Sequence, residues 1–112
     1  MTEITDDYMR AQLGRSREYA LVLLRPGEHY EKEGRDEIVW EHGRRNFALR
    51  AEGVMPIVAP VADDSDLAGV SILDATVERA AEIMDGDPTI QEGILVYEIH
   101  PIRSFPGDAL PG

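Results

Sequence analysis

The chain has no cysteine, and it is poor in aromatic residues, in basic residues and in long apolar runs. Without cysteine, neither a disulfide framework nor a zinc site with thiolate ligands is available. No apolar stretch approaches the roughly 18 residues that a membrane-spanning helix needs, so we expect no membrane partner. The segment MTEITDDYMR carries acidic side chains where a secretory signal peptide needs basic ones. We therefore expect a soluble, cytoplasmic protein.

The shortage of basic residues also bears on partners. Lysine and arginine number 11 against 22 acidic residues, which gives a formal net charge of −11 at pH 7. Such a chain repels phosphate backbones, and it has no basic stripe with interleaved aromatic residues, so nucleic acid is not expected as a partner. Excess negative charge of this kind is typical of a solubilising surface.

What the chain does contain is enough apolar sequence for a core. The hydrophobic fraction is 43% over 112 residues, which predicts one globular domain and excludes a disordered chain. Residues 1–16 form a polar arm with a short helix capped by Asp6 or Asp7, residues 17–103 form the domain, and residues 104–112 form an irregular tail rich in proline and glycine. The arm carries side chains spaced to pack on another surface: Tyr8, Met9 and Leu13.

The domain alternates strand and helix patterns in the order β-α-β-β-α-β. Apolar runs predict strands over residues 18–25, 54–61, 69–75 and 94–102. One helix is predicted from Asp36 as N-cap to Gly53 just after its end, and a second over residues 77–85 with Thr76 as its cap. This order predicts an α+β, ferredoxin-like fold with a four-stranded antiparallel sheet and both helices on one face.

Two features of the strands refine that prediction. The spatial strand order of such a sheet is 4-1-3-2, and Pro56 and Pro60 agree with an edge position for the second strand because proline cannot donate to the ladder. Strands 1 and 4 are apolar on both faces, whereas two helices cover only one. We expect the other face to be covered by a second copy of the sheet, with the arm or the tail as the alternative.

The first predicted helix carries a histidine away from its aromatic residues. At about 100° per residue, Trp40, Phe47 and Ala51 share one narrow sector. We expect that sector to face the core, and we expect the side that carries His42 to border a pocket. A histidine in such a place serves as a structural hydrogen-bonding group, a surface residue or a catalytic group, and the spacing does not choose among them.

A set of motifs over residues 18–103 resembles the YCII-related (YciI-like) family. The matching elements are a helix histidine, a small residue followed by proline after the second strand, and an Asp-Pro before the last strand: His42, Ala59-Pro60 and Asp87-Pro88. The resemblance implies a ferredoxin-like fold paired as a dimeric α+β barrel and a catalytic His–Asp pair. His42 and Asp87 match that pair, although Asp63, Asp64 and Asp66 remain alternative carboxylates.

The chemistry that this pair implies is proton transfer. An aspartate that accepts from one imidazole nitrogen favours proton capture at the other. We therefore expect a lyase or isomerase that needs no cofactor and no metal and acts on a small lactone-like or carbonyl compound. Arg45, or its neighbour Arg44, and Pro60 are expected to contact the substrate. The alternative is a non-catalytic, dimeric binding or accessory domain that holds a small ligand or another protein.

Two further groups of polar residues are weaker candidates. Glu28, His29 and Tyr30 follow the first strand, where a metal or ligand site would need a third ligand that the sequence does not identify. Glu98 and His100 lie two apart on the last strand and therefore share one face. They form a second candidate pair, either inside the barrel or on its rim.

Overall fold

A computed structural model describes the whole chain, residues 1–112. The elements run in the order α1 (Asp6–Arg15), β1 (Arg17–Pro26), α2 (Arg35–Ala51), β2 (Ile57–Pro60), β3 (Gly69–Leu73), α3 (Val77–Asp85), α4 (Pro88–Gln91) and β4 (Leu95–Ser104). The predicted βαββαβ order is confirmed, and α4 is a short helix where only a connection was expected. None of the helices is both long and apolar enough to cross a membrane.

The sheet has the predicted topology. Its order is β2-β3-β1-β4, and all three neighbouring pairs are antiparallel. β2 therefore lies at an edge, as its prolines predicted, and it is shorter than the predicted range 54–61 because pairing covers only Ile57–Pro60. Pro60 closes that pairing opposite Gly69. Proline at the end of an edge strand costs no ladder hydrogen bond.

The core lies between the helices and one face of the sheet. Ala20, Val22 and Leu24 of β1 alternate with less buried residues and point to the helices, as period-two burial requires. α3 begins at its predicted cap, where the Thr76 hydroxyl accepts from the Arg79 backbone N–H at 3.1 Å. The buried hydrophobic residues that complete this core are Met55, Leu73, Ala80, Ile83, Met84, Ile94 and Leu95.

The opposite face of the sheet, which we call the open face, has no helix on it. The register pairs Leu21 with Ile72 and Leu23 with Val70, and all four side chains are only partly buried. Because they alternate with the core residues of β1 and β3, they point away from the helices. The open face is apolar in its centre, as the two-sided pattern of β1 predicted.

The orientation predicted for α2 is wrong. Trp40 and Phe47, expected in the core, expose 70% and 63% of their surfaces. The helix instead packs through Ile38 and Leu49, which contact the core cluster, and Asn46 is the buried residue of the helix. Both sides of α2 carry apolar residues, so periodicity alone does not decide which side faces the sheet.

The predicted caps of the first two helices are also wrong. α2 begins after Gly34, which has φ +81° and offers no side-chain cap, so Asp36 lies in the first turn. There its charge still favours the helix N-terminus. α1 is capped by Thr5, whose hydroxyl accepts from the Tyr8 N–H at 3.1 Å, rather than by Asp6 or Asp7. Gly53 has φ +79°, which fits its predicted place after the end of α2.

The arm extends away from the domain. α1 has no buried residue, and Tyr8, Met9 and Leu13 expose 53%, 51% and 58% of their surfaces. The radius of gyration is 16.3 Å, whereas a compact domain of this length has one of about 13 Å. The apolar side chains of α1 therefore remain more than half exposed within the chain.

The backbone just after β1 lies against the backbone just before β4. The Gly27 N–H donates to the Ile94 carbonyl at 2.8 Å, and the His29 N–H donates to the Gly93 carbonyl at 2.9 Å. A Cβ atom on Gly27 would lie 2.4 Å from the Gly93 carbonyl oxygen, a distance that atoms cannot adopt without a backbone shift. Only glycine fits at this crossing.

We predict that Gly27→Ala destabilises the fold by about 1–3 kcal/mol, because the added methyl group forces the two backbone segments apart. Gly43→Ala is the matched control, since nothing lies within 4 Å of its Cβ position in α2. That change should raise the free energy of unfolding by about 0.5–1 kcal/mol through helix propensity. Urea unfolding followed by circular dichroism measures both, and equal effects of the two substitutions would contradict the assigned close approach.

Candidate active site

Asp87 is the buried acid of the candidate site. It is the N-cap of α4, and its residue exposure is 0%. Its Oδ1 accepts from the Thr89 backbone N–H at 2.9 Å and from the Thr89 hydroxyl at 2.5 Å. Aspartate followed by Pro88 at the first helical position is a standard helix start. The cap fixes the carboxylate and leaves Oδ2 to bind another element.

That other element is α2, through His42. The Nδ1 atom of His42 lies 2.8 Å from Asp87 Oδ2, and its Nε2 atom lies 3.1 Å from Asn46 Nδ2. Because an amide nitrogen only donates, Nε2 carries no proton in this arrangement. Nδ1 therefore holds the ring proton and donates it to Asp87. In this arrangement Asp87 and Asn46 hold one tautomer of the imidazole, with Nδ1 bound to a carboxylate.

Arg45 lies behind the carboxylate. Its Nη2 donates to the Ile83 carbonyl at 2.6 Å, and its Nη1 lies 3.7 Å from Asp87 Oδ2. Nη1 is buried and has no hydrogen-bond partner. The guanidinium thus binds the C-terminal end of α3, where the helix dipole favours a cation. Arg44 points away and pairs with Glu41 at 3.1 Å.

The hydrogen bonds of Asp87 determine its charge. Burial, the largest single influence, raises the pKa of Asp87, but the hydrogen bonds from His42 and Thr89 and the electrostatic attraction of His42 together outweigh it. The net shift lowers the pKa below the ordinary carboxyl value of 3.8. Asp87 is therefore ionised at neutral pH and accepts from both neighbours.

A cavity of about 750 Å³ opens between α2 and the strands β2 and β3, and His42 and Asn46 line its wall. Pro60, predicted as a substrate contact, lines the same cavity, whereas Arg45 does not. The other residues that line it include Tyr30, Phe47, Arg50, Ser71 and the tail residues Asp108, Ala109 and Leu110. Apolar walls with a few polar groups are typical of a small-molecule site.

The alternative carboxylates lie elsewhere. Asp63, Asp64 and Asp66 are exposed in the turn between β2 and β3. Asp63 Oδ1 accepts from the Ser65 N–H at 3.0 Å, and Asp66 lies 3.6 Å from Arg25. None of them contacts His42, so Asp87 is the acid that the fold brings to the helix histidine.

Neither of the two weaker candidate groups, Glu28–His29–Tyr30 and Glu98–His100, forms part of this site as a whole. His29 packs over Gly93, where an added Cβ would lie 2.8 Å from the ring, and only its neighbour Tyr30 reaches the cavity. Glu98 binds His100 and also accepts from Arg25 at 2.6 Å. No group of three or more histidine, aspartate and glutamate side chains is arranged to hold a metal ion.

Two residues of the site were missed by the sequence analysis. Asn46 lies four residues after His42, a spacing that places both on one helix face, so the pattern alone contained the signal. Thr89 follows Asp87 by two residues, which is the position whose N–H an aspartate N-cap binds. Both signals are common in helices and gain meaning only once the His42–Asp87 contact is known.

Comparison with known protein families gives a match over most of the chain. The sequence pattern of the YCII-related domain family matches residues 15–105, which include the whole sheet and the pair His42 and Asp87. A search of curated proteins gives no match.

The lowered pKa of Asp87 predicts an acid-sensitive fold. The folded carboxylate binds protons less readily than the unfolded one, so its stabilising contribution is complete above the unfolded value. It is lost as the pH falls through 3.8 toward the lower folded value. Asp87→Asn keeps a good N-cap but removes the charge. We expect it to lower stability at neutral pH by about 1–3 kcal/mol and to flatten the acid dependence.

Urea unfolding between about pH 3 and pH 7 measures this dependence. Asp64→Asn is the matched control, because it removes one negative charge from an exposed position. A wild-type pH profile that Asp87→Asn leaves unchanged would exclude Asp87 as the acid-sensitive group.

Proposed function

The chain belongs to the YCII-related family, and we propose that it is a small cofactor-independent lyase or isomerase that acts on a lactone-like or carbonyl compound. His42 and Asp87 are the proposed catalytic pair. The observation that carries the proposal is the 2.8 Å hydrogen bond between His42 Nδ1 and the buried Asp87 carboxylate, at the wall of a cavity. A base of this kind with a fixed tautomer presents Nε2 for proton capture.

The proposed reaction begins with proton abstraction next to a carbonyl group. Nε2 of His42 takes the proton, and the electron pair of the broken C–H bond moves into an enolate. The imidazolium that forms is stabilised by the negative charge of Asp87, which remains ionised. Return of the proton to another carbon gives an isomer, and departure of a group from the adjacent carbon gives an elimination product.

The neighbouring residues have separate proposed roles. Pro60 forms part of the wall that the substrate contacts. Arg45, the residue expected to bind a substrate carboxylate, supports Asp87 instead, because its Nη1 lies 3.7 Å from Oδ2 and outside the cavity lining. Arg50 lines the cavity and is the cation available there for a substrate anion.

One observation favours a second candidate, a non-catalytic small-molecule-binding domain. The lone pair of His42 Nε2 already accepts from Asn46 at 3.1 Å, so the base is occupied in this state. In that alternative the imidazole and Asn46 hold a ligand by hydrogen bonds, and no proton moves to carbon. The two candidates share the cavity and differ in whether carbon-bound hydrogen exchanges.

Solvent deuterium exchange separates the two candidates. Small lactones and halogenated carbonyl compounds are incubated with the protein in deuterium oxide, and deuterium next to the carbonyl is followed by NMR. If His42 is the base, His42→Ala should reduce exchange by about 100-fold or more. His29→Gln is the control, because His29 is an exposed histidine outside the cavity. Binding of a compound without any exchange, seen as a rise in melting temperature, would favour the binding domain.

We further propose that the protein functions as a homodimer paired through the open face. The partly buried Leu21, Leu23, Val70 and Ile72 form an apolar surface that no helix covers. The charged groups at its β4 side, Arg25, Glu98 and His100, are already paired within the chain. Such a face is suited to burial against an identical face across a two-fold axis.

Sedimentation equilibrium at micromolar concentration tests the dimer. The expected mass is twice 12.5 kDa. Leu23→Asp should give a folded monomer, since it places an unpaired charge in the proposed interface. Trp40→Glu is the matched control on the other exposed apolar surface, that of α2. A monomeric wild type, or dissociation by Trp40→Glu instead of Leu23→Asp, would rule out pairing through the open face.

A further inference from the structure

Asn46 is a buried polar residue that the proposed reaction does not use. It exposes 7% of its surface and lines the cavity beside His42. Its Nδ2 binds the Nε2 atom of His42 at 3.1 Å, whereas its Oδ1 is buried without any hydrogen-bond partner. One half of this carboxamide is therefore engaged with the base, and the other half is unused.

The two halves of the carboxamide suit the two protonation states of the imidazole. With Nε2 unprotonated, the ring accepts from an N–H group, which Nδ2 supplies. Once Nε2 has taken a proton, it becomes a donor and faces Nδ2, which is also a donor. A half-turn about the Cβ–Cγ bond of Asn46 replaces Nδ2 by Oδ1, which then accepts the new N–H bond.

We propose that Asn46 is a positioning residue whose carboxamide turns over when His42 takes a proton at Nε2. In the resting state Nδ2 holds the ring in place, and after proton capture Oδ1 stabilises the imidazolium from the side opposite Asp87. No covalent bond in Asn46 changes, and the proton remains on the histidine. The inference rests on the proposed role of His42, but its test requires no catalysed reaction.

Other charged and titratable groups face the pair and stay in place during this change. Asp87 binds Nδ1, and Arg45 lies 3.7 Å from the same carboxylate. Tyr30, Arg50 and the tail residue Asp108 line the cavity. None of them contacts Nε2, so Asn46 is the group that must respond when the charge of the ring changes.

NMR of the wild-type protein tests the rotation of the Asn46 carboxamide directly. As the pH is lowered, the His42 Nε2 signal should move from the unprotonated to the protonated range. The Asn46 side-chain amide signals should shift in the same step, because Nδ2 loses its acceptor. In His42→Phe the amide signals should show no such step. Amide signals that stay constant while Nε2 of the wild type takes its proton would overturn the inference.

Two substitutions of nearly the same shape as asparagine test how Asn46 affects the protonation of His42 Nε2. Asn46→Asp replaces the donor by a carboxylate, so Nε2 should stay protonated at a pH where the wild-type ring is neutral. Asn46→Leu removes both groups, so protonation of Nε2 should need a lower pH than in the wild type. Identical behaviour of Nε2 in both variants would overturn the positioning role.

The outcome is independent of the proposed function. Rotation of the Asn46 carboxamide without deuterium exchange in any substrate would leave the inference intact and count against catalysis. Exchange that depends on His42, with an amide that never turns, would leave catalysis intact and exclude this role for Asn46.

Discussion

The carboxylate of Asp87 is the group on which the arrangement of the helices depends. A buried charge is tolerated only when its oxygens are hydrogen-bonded and opposite charge is near. Oδ1 is satisfied within α4 by Thr89, and Oδ2 is satisfied by His42 of α2. Arg45 supplies the positive charge and joins the end of α3 to the same group. One side chain thus ties together α2, α3 and α4, although β2 and β3 separate α2 from the other two helices in sequence.

Much of the fold could be predicted from the sequence, because strands and edges have local signatures. The βαββαβ order of the elements gave the sheet order correctly, and Pro56 and Pro60 agreed with the edge position of β2. The orientation of α2 could not be predicted in this way. Trp40 and Phe47 form the more hydrophobic stripe, yet Ile38 and Leu49 face the core. The buried acid resolves this ambiguity, since only that orientation brings His42 to Asp87.

The candidate site was predictable in part. The resemblance of the motifs paired His42 with Asp87, whereas spacing could not, since the two residues lie 45 positions apart. In the sequence, the carboxylates of Asp63, Asp64 and Asp66 were as suitable as that of Asp87 to bind His42. They differ from Asp87 only in position, because the fold places them in an exposed turn. The direction taken by Arg45 was not predictable either, because a long side chain at the border of a helix face reaches either solvent or the interior.

The two unpartnered buried atoms, Arg45 Nη1 and Asn46 Oδ1, lie on opposite sides of the His42–Asp87 pair. Each unsatisfied group costs about 1–3 kcal/mol of stability. An apolar residue in place of Asn46 would avoid that cost, so stability alone does not account for Asn46. The unused capacity of the two atoms is complementary: a donor stands beside the carboxylate, and an acceptor stands beside the nitrogen that would gain a proton. A polar cluster that tolerates this cost at a cavity wall is typical of a site shaped by function rather than by folding.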